Sequence, residues 1–130
     1  MVTERRRASS GSPWEPTIGF SRAVRVGNRI LVSGTAPVWP DGSCPDDAGL
    51  QARRCFEIVA SALADLDAGL ADVVRTRMFL TSAADADAVG AVHGELLAAT
   101  RPAATMVVVA ALLDPRWRVE VEAEAMVGPE

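Results

Sequence analysis

A chain of 130 residues with 49% hydrophobic side chains is long enough for one domain with a core of its own and too apolar for a disordered segment. Its formal net charge of −4 argues against nucleic acid as the main partner. All 13 basic residues are arginine and tyrosine is absent, which removes Schiff-base lysine and tyrosine acid–base chemistry.

Cys44 and Cys55 lack the spacing of a metal or redox motif, and His93 is the single histidine. We therefore expect two free thiols, no metal site and no cofactor. No stretch resembles a signal peptide, and no apolar run reaches the roughly 18 residues that span a bilayer. The expectation is a cytoplasmic protein with no membrane partner.

Residues 1–12 are polar, carry Arg5-Arg6-Arg7 and read as a flexible tail, with a single domain over 13–130. Pro13–Gly19 reads as a loop containing Trp14 and Glu15. Phe20–Gly34 has the pattern of a β-hairpin, with apolar runs on either side of Gly27-Asn28. Pro37–Asp47 is a Pro/Gly/Asp loop, and Asp47 is placed to cap a helix over Ala48–Ala68. The stripe Phe56, Val59, Leu63 and Leu66 gives that helix its buried face, and Gly69 is a natural stop. Val73–Leu80 alternates as a strand, with Val74, Thr76, Met78 and Leu80 on one face and Arg75, Arg77 and Phe79 on the other. Ser82 and Asp85 have capping-box spacing for a second helix that ends near Thr100. Thr105–Ala111 and Trp117–Val127 complete the strands. In the last, Arg118, Glu120, Glu122 and Glu124 share one face. The order β-β-α-β-α-β-β predicts an α+β sandwich, a mixed sheet with two helices on one face.

The segment Arg101–Ala125, RPAATMVVVAALLDPRWRVEVEAEA, resembles the hallmark of the Rid family (RidA/YjgF-like proteins, older label endoribonuclease L-PSP). There, Pro-Ala-Arg opens an apolar strand, and a turn leads into a Val-Glu-Ile-Glu-Ala strand. Phe20-Ser21-Arg22-Ala23-Val24, Gly27-Asn28 and Val32-Ser33-Gly34 are similar to the family's Tyr-Ser-Gln-Ala-Val, Gly-Asn and Ser-Gly. Val73–Leu80 is similar to its strand ending in Phe-Leu. The resemblance implies the chorismate-mutase-like fold and a homotrimer, its sheets packed about a central axis and its ligand pockets between subunits.

The resemblance also sets the site. In RidA proper the arginine holds a substrate carboxylate while enamines and imines are hydrolysed; here that position is Ala104. A hairpin tyrosine becomes Phe20, an asparagine Gly90, a second tyrosine His93 and a cysteine Met106. Ser33, Gly34 and the strand glutamate, Glu120, are kept, and Thr105 lies between the changed pocket positions. Glu120 and His93 are then the candidate catalytic groups, since a half-buried carboxyl and an imidazole can both exchange protons near neutral pH. Each has a structural alternative: Glu120 as part of a charge ladder with Arg75 and Arg77, His93 as a polar cap on the helix's apolar stripe. Trp14 either encloses a ligand or pins the N-terminal segment. Ser33 and Gly34 offer a hydroxyl and an open backbone N–H to a carbonyl oxygen. The expected ligand is a small neutral imine, enamine or carbonyl compound in place of a 2-imino acid, with its binding, or binding and hydrolysis, as the expected activity. A non-enzymatic binding module, a deaminase rescued by Arg101 and a ribonuclease are the alternatives.

Overall fold

The computed structural model describes residues 4–128. Its order is β1 (Arg5–Ala8), α1 (Trp14–Ile18), β2 (Ala23–Val26), β3 (Arg29–Thr35), α2 (Ala48–Asp65), β4 (Val73–Leu80), α3 (Ala86–Leu97), β5 (Ala103–Val108) and β6 (Val119–Met126). Six strands form one sheet in the order β1-β2-β3-β6-β4-β5. Only β4–β5 is parallel, as the α3 crossover between them requires. The result is the mixed α+β architecture that the residue pattern predicts.

Two N-terminal elements correct the expectation. Arg5–Ala8 is an edge strand paired antiparallel with β2, so the polar start is not a loose tail and the domain reaches back to it. Arginine-rich sequence suits an edge, because charge discourages further strand addition. The expected loop at Pro13–Gly19 contains one helical turn, α1, closed by Gly19 at φ 92°. The expectation for Met1–Thr3 lies outside the described residues.

The core lies between the sheet and the two long helices. Phe56, Val59, Leu63 and Leu66 of the α2 region meet Ile30, Val73, Met78, Leu80, Val119 and Val121, all at most 4% exposed. Asp47 caps α2 as expected, its carboxylate accepting from Leu50 N–H at 2.9 Å. The helix stops earlier than expected. Asp67, at φ 62°, takes the left-handed position, and Ala68 N–H reaches Leu63 O at 2.9 Å in a Schellman closure. Gly69 is extended.

A register irregularity between Val73 and Arg75 puts Val73 in the core and leaves Val74 45% exposed, although alternation alone places Val74 inside. Ser82 and Asp85 do not form a capping box. The Ser82 hydroxyl accepts from Ala84 N–H, and the Asp85 carboxylate pairs with Arg118 at 3.1 Å, a charge-assisted contact stronger than a neutral cap. A 3-10 turn therefore precedes α3. No helix among the described residues is long and apolar enough to cross a membrane.

Candidate functional site

Register decides what the strand glutamates do. Arg77 lies opposite Glu122 and Arg75 opposite Glu124, and the ion pairs follow: Arg77–Glu122 at 3.0 Å, Arg75–Glu124 at 3.8 Å, and Arg29–Glu124 at 3.0 Å from β3. Glu120 lies opposite Phe79 and has no place in the ladder. Burial pushes its carboxyl above the ordinary range, opposed by the Arg22 charge and assisted by Glu122. Of the three glutamates it is the one left for chemistry.

The Glu120 carboxylate lies against the β3 bulge. Pairing with β6 shifts between Val32 and Thr35, and a Cβ added at Gly34 would collide with Glu120 Oε2. Glycine is needed here for close approach, and no special backbone angle is involved. Ser33 is half-buried, and its hydroxyl donates to Ser21 O at 2.7 Å. Phe20 lies beneath the Arg22 guanidinium, 5.3 Å from ring centre to carbon.

Arg22 and Glu15 join this cluster; the sequence places Glu15 beside Trp14 and Arg22 in the hairpin motif but pairs neither with the other. Arg22 is 6% exposed and donates from Nη1 to Gly34 O at 2.6 Å. Glu15, 5% exposed, stands 3.6 Å from Arg22 Nε. Burial raises the Glu15 carboxyl, but hydrogen bonds from Ser10 and Ser9, with the Arg22 charge, outweigh it and hold the group below its usual value. The signal available in the sequence was a glutamate and an arginine that both precede the apolar strand starting at Ala23. It is Glu15 that pins the N-terminal segment; Trp14 is 45% exposed.

The other candidates gather elsewhere. His93 bonds Thr76 Oγ1 through Nε2 at 2.8 Å and meets Phe56 edge-on at 5.8 Å, and burial lowers its pKa. Thr76 belongs to the helix-covered face of β4, whereas Glu120 alternates with buried Val119 and Val121 and faces the opposite side. His93 and Glu120 of one chain thus do not meet. Gly90 faces the Met106 methyl, where an added Cβ would come within 3.9 Å. Ala104 and Thr105 are exposed on the edge strand β5. Arg101 is exposed in a left-handed turn (φ 49°) that closes α3.

Sheet order separates the two groups. β3 and β5 are three strand steps apart, about 14 Å at ~4.8 Å per step. One group comprises Phe20, Ser33, Gly34 and Glu120; the other comprises Gly90, His93, Ala104, Thr105 and Met106. Among the described residues no cluster of three His, Cys, Asp or Glu side chains fit to hold a metal occurs. Cys44 and Cys55 are unpaired thiols, and burial pushes both upward and away from reactivity.

A mixed sheet under two helices, a Gly bulge facing a strand glutamate and a bare parallel edge strand define a chorismate-mutase-like protein of the Rid type. The model of the endoribonuclease L-PSP family matches residues 11–127, and the chain belongs to that family, the Rid/YjgF proteins. An uncharacterized protein of Streptomyces coelicolor is 41% identical over 124 residues, covering 95% of this chain and 92% of that one. A RutC family protein of Pyrococcus abyssi is 30% identical over 75% of this chain and 79% of its own length. Among solved structures, a YjgF/YER057c/UK114 family member from Mycobacterium tuberculosis superposes with a TM-score of 0.88 at 40% identity, covering 95% of this chain and all of that one.

Proposed function

We propose that this protein is a homotrimer whose inter-subunit pockets bind a small neutral imine, enamine or carbonyl compound. The observation that carries this reading is the separation of the two residue groups on one sheet. A second copy, docked on the β5 edge, would bring the Ala104–Met106 group of one subunit to the Gly34–Glu120 group of the next. Apolar Val107 and Val108, 42% and 54% exposed on that edge, favour such a cover. The Ala104 methyl offers no charge to a carboxylate, and a neutral ligand suits it. Leaving a carboxylate unpaired there would cost affinity by about a thousandfold.

The upward displacement of Glu120 favours turnover over simple binding. A carboxyl whose protonated form burial favours can donate its proton to the C=N nitrogen, take a proton back from the water that adds to the carbon, and return it to nitrogen as the amine leaves the carbinolamine. His93 of a neighbouring subunit would face the same space as a second proton carrier.

The test is imine hydrolysis with 2-iminobutanoate generated by an amino-acid oxidase, wild type beside Ala104→Arg. An inactive wild type with an active Ala104→Arg variant is the expected result. Wild-type activity on the 2-imino acid would overturn the neutral-ligand reading and turn attention to Arg101.

A further inference from the structure

The half-site around Glu120 contains more buried charge than its own stability explains. Glu15 and Arg22 are both at least nine-tenths buried, and neither belongs to the cross-strand ladder. A buried ion pair is weak evidence for stability, since well-packed apolar residues often do as well. Here the pair is also geometrically imperfect. Arg22 Nε stands 3.6 Å from Glu15 Oε2 without hydrogen-bonding it. It is the one buried side-chain polar atom among the described residues that lacks a hydrogen-bond partner. Arg22 is therefore not placed to maximise its bond to Glu15. Its short contact is with the bulge: Nη1 donates to Gly34 O at 2.6 Å and more weakly to Thr35 Oγ1 at 3.3 Å.

Glu15 is held as firmly from its other side. Ser9 Oγ donates at 2.8 Å, Ser10 N at 3.1 Å and Ser10 Oγ at 2.6 Å. A continuous chain of polar contacts thus runs from the segment following β1, through Glu15 and Arg22, to the Gly34 carbonyl. The Glu120 carboxylate lies on the other side of Gly34.

We propose that the buried Glu15–Arg22 pair is the positioning element of the Glu120 half-site. Arg22 fixes the Gly34 backbone and supplies the cation that acts on the Glu120 carboxylate from across the bulge, while Glu15 tethers Arg22, so that Ser9–Glu15 is a working part of the site. This rests on the reading of Glu120 as a functional group. The charged and titratable groups around Glu120 are few. Arg22 approaches from the start of β2, Glu122 from its own strand, and Cys55 from α2 as a thiol that burial keeps protonated; Phe79 opposite is neutral. Arg22 is the one cation among them. It supplies within the chain a positive charge that Ala104 does not, but buried behind the bulge and out of a ligand's reach. The pocket keeps an orienting charge without recruiting anionic ligands.

The experiment is a carboxyl NMR titration of the full-length protein without ligand, following the Glu120 midpoint and the Gly34 amide resonance. In Arg22→Gln the midpoint should rise by about one pH unit, the size expected of a lost neighbouring charge, and the Gly34 resonance should move. In Glu15→Gln the midpoint should fall, because Arg22 is then less neutralised. General loosening would let water in and lower the midpoint in both variants, so the rise in Arg22→Gln is the decisive sign. A midpoint that stays or falls in folded Arg22→Gln overturns the proposal. Should that variant not fold, the double replacement Glu15→Gln with Arg22→Gln leaves no lone buried charge; a rise there supports the proposal, and an unchanged or lower midpoint overturns it. Because no ligand enters the measurement, these shifts in a protein that binds no carbonyl compound would refute the functional reading alone. Absent shifts in a protein that does bind one would refute the positioning role alone.

Discussion

The two halves of the candidate site are built in opposite ways. Around Gly34 the side chains beside Glu120 are tied within the chain: Arg22 to the Gly34 carbonyl, Glu15 to two serines and Arg22, Ser33 to Ser21 O. On the β5 edge, Ala104 and Thr105 are exposed on a strand with one neighbour only. A wired half holds its geometry within one chain. A bare half gains its surroundings from something that covers it, and each contrast below is a place where that distinction can be broken.

The largest effect should come from the bare edge. Val107→Asp puts a charge on a residue that is 42% exposed and outside the chain's own core. We expect unchanged circular dichroism and a light-scattering mass that falls to that of a single chain, because a charge desolvated at an apolar interface is costly. A mass that does not change on substitution would mean that β5 is not the docking edge, and the two halves would need another route to each other.

Next in size is a strut on the wired side. Gln51 is fully buried on α2; its Nε2 donates to Pro45 O at 2.8 Å and Arg116 O at 3.0 Å, and its Oε1 accepts from Arg118 N–H at 2.7 Å. Gln51→Leu removes three hydrogen bonds and leaves Arg118 N–H without its partner, while Pro45 O keeps Asp47 N–H at 2.9 Å; urea denaturation should record a loss of about 2 kcal/mol. A loss below about 0.5 kcal/mol would show that water replaces the amide and that this wiring is dispensable. A smaller loss is expected at the bulge. Gly34→Ala forces the Glu120 carboxylate aside, and because the displaced atoms end a side chain the cost should be about 1 kcal/mol. Adding Glu120→Ala should restore it, since the two residues share one contact. Ala104→Ser on the bare half should change stability by no more than about 0.5 kcal/mol.

Gln51 also marks where the sequence stops being informative. Periodicity gave the helices, hairpin and final strand because each has a long apolar stripe, and these fixed the α+β order. It could not give β1, whose RRRA sequence has no apolar alternation and is held only by pairing with β2. It placed Val74 inside because a register irregularity leaves no trace in composition. The candidate positions were legible where the chain repeats family motifs, at Ser33, Gly34, Ala104 and Glu120. Arg22 and Glu15 were invisible as a pair because their partnership spans β1, α1 and β3, and no spacing rule links those elements. The ladder was legible in type but not in register, and register is what releases Glu120 from it.

The smallest effect bears on both halves at once, because burial disfavours charge in each with opposite consequences. Glu120 is raised above its ordinary 4.5, by burial first. The folded state then binds more proton than the unfolded state just above that value, so the stability this group contributes is full below 4.5 and is lost as pH rises through the folded midpoint. His93 is lowered from its ordinary 6.5 by burial. Its contribution is full above 6.5 and is lost as pH falls through the folded midpoint, where the unfolded chain takes up the proton first. Measured against pH, the stability of wild type relative to Glu120→Gln should therefore decline on going up from about 4.5, while that relative to His93→Gln should decline on going down from about 6.5. Parallel slopes would mean that one of the two groups is open to water and has no restricted environment. Opposite slopes that both disappear when Val107→Asp separates the chains would mean that the neighbouring subunit, and not the chain's own fold, dries both halves of the pocket.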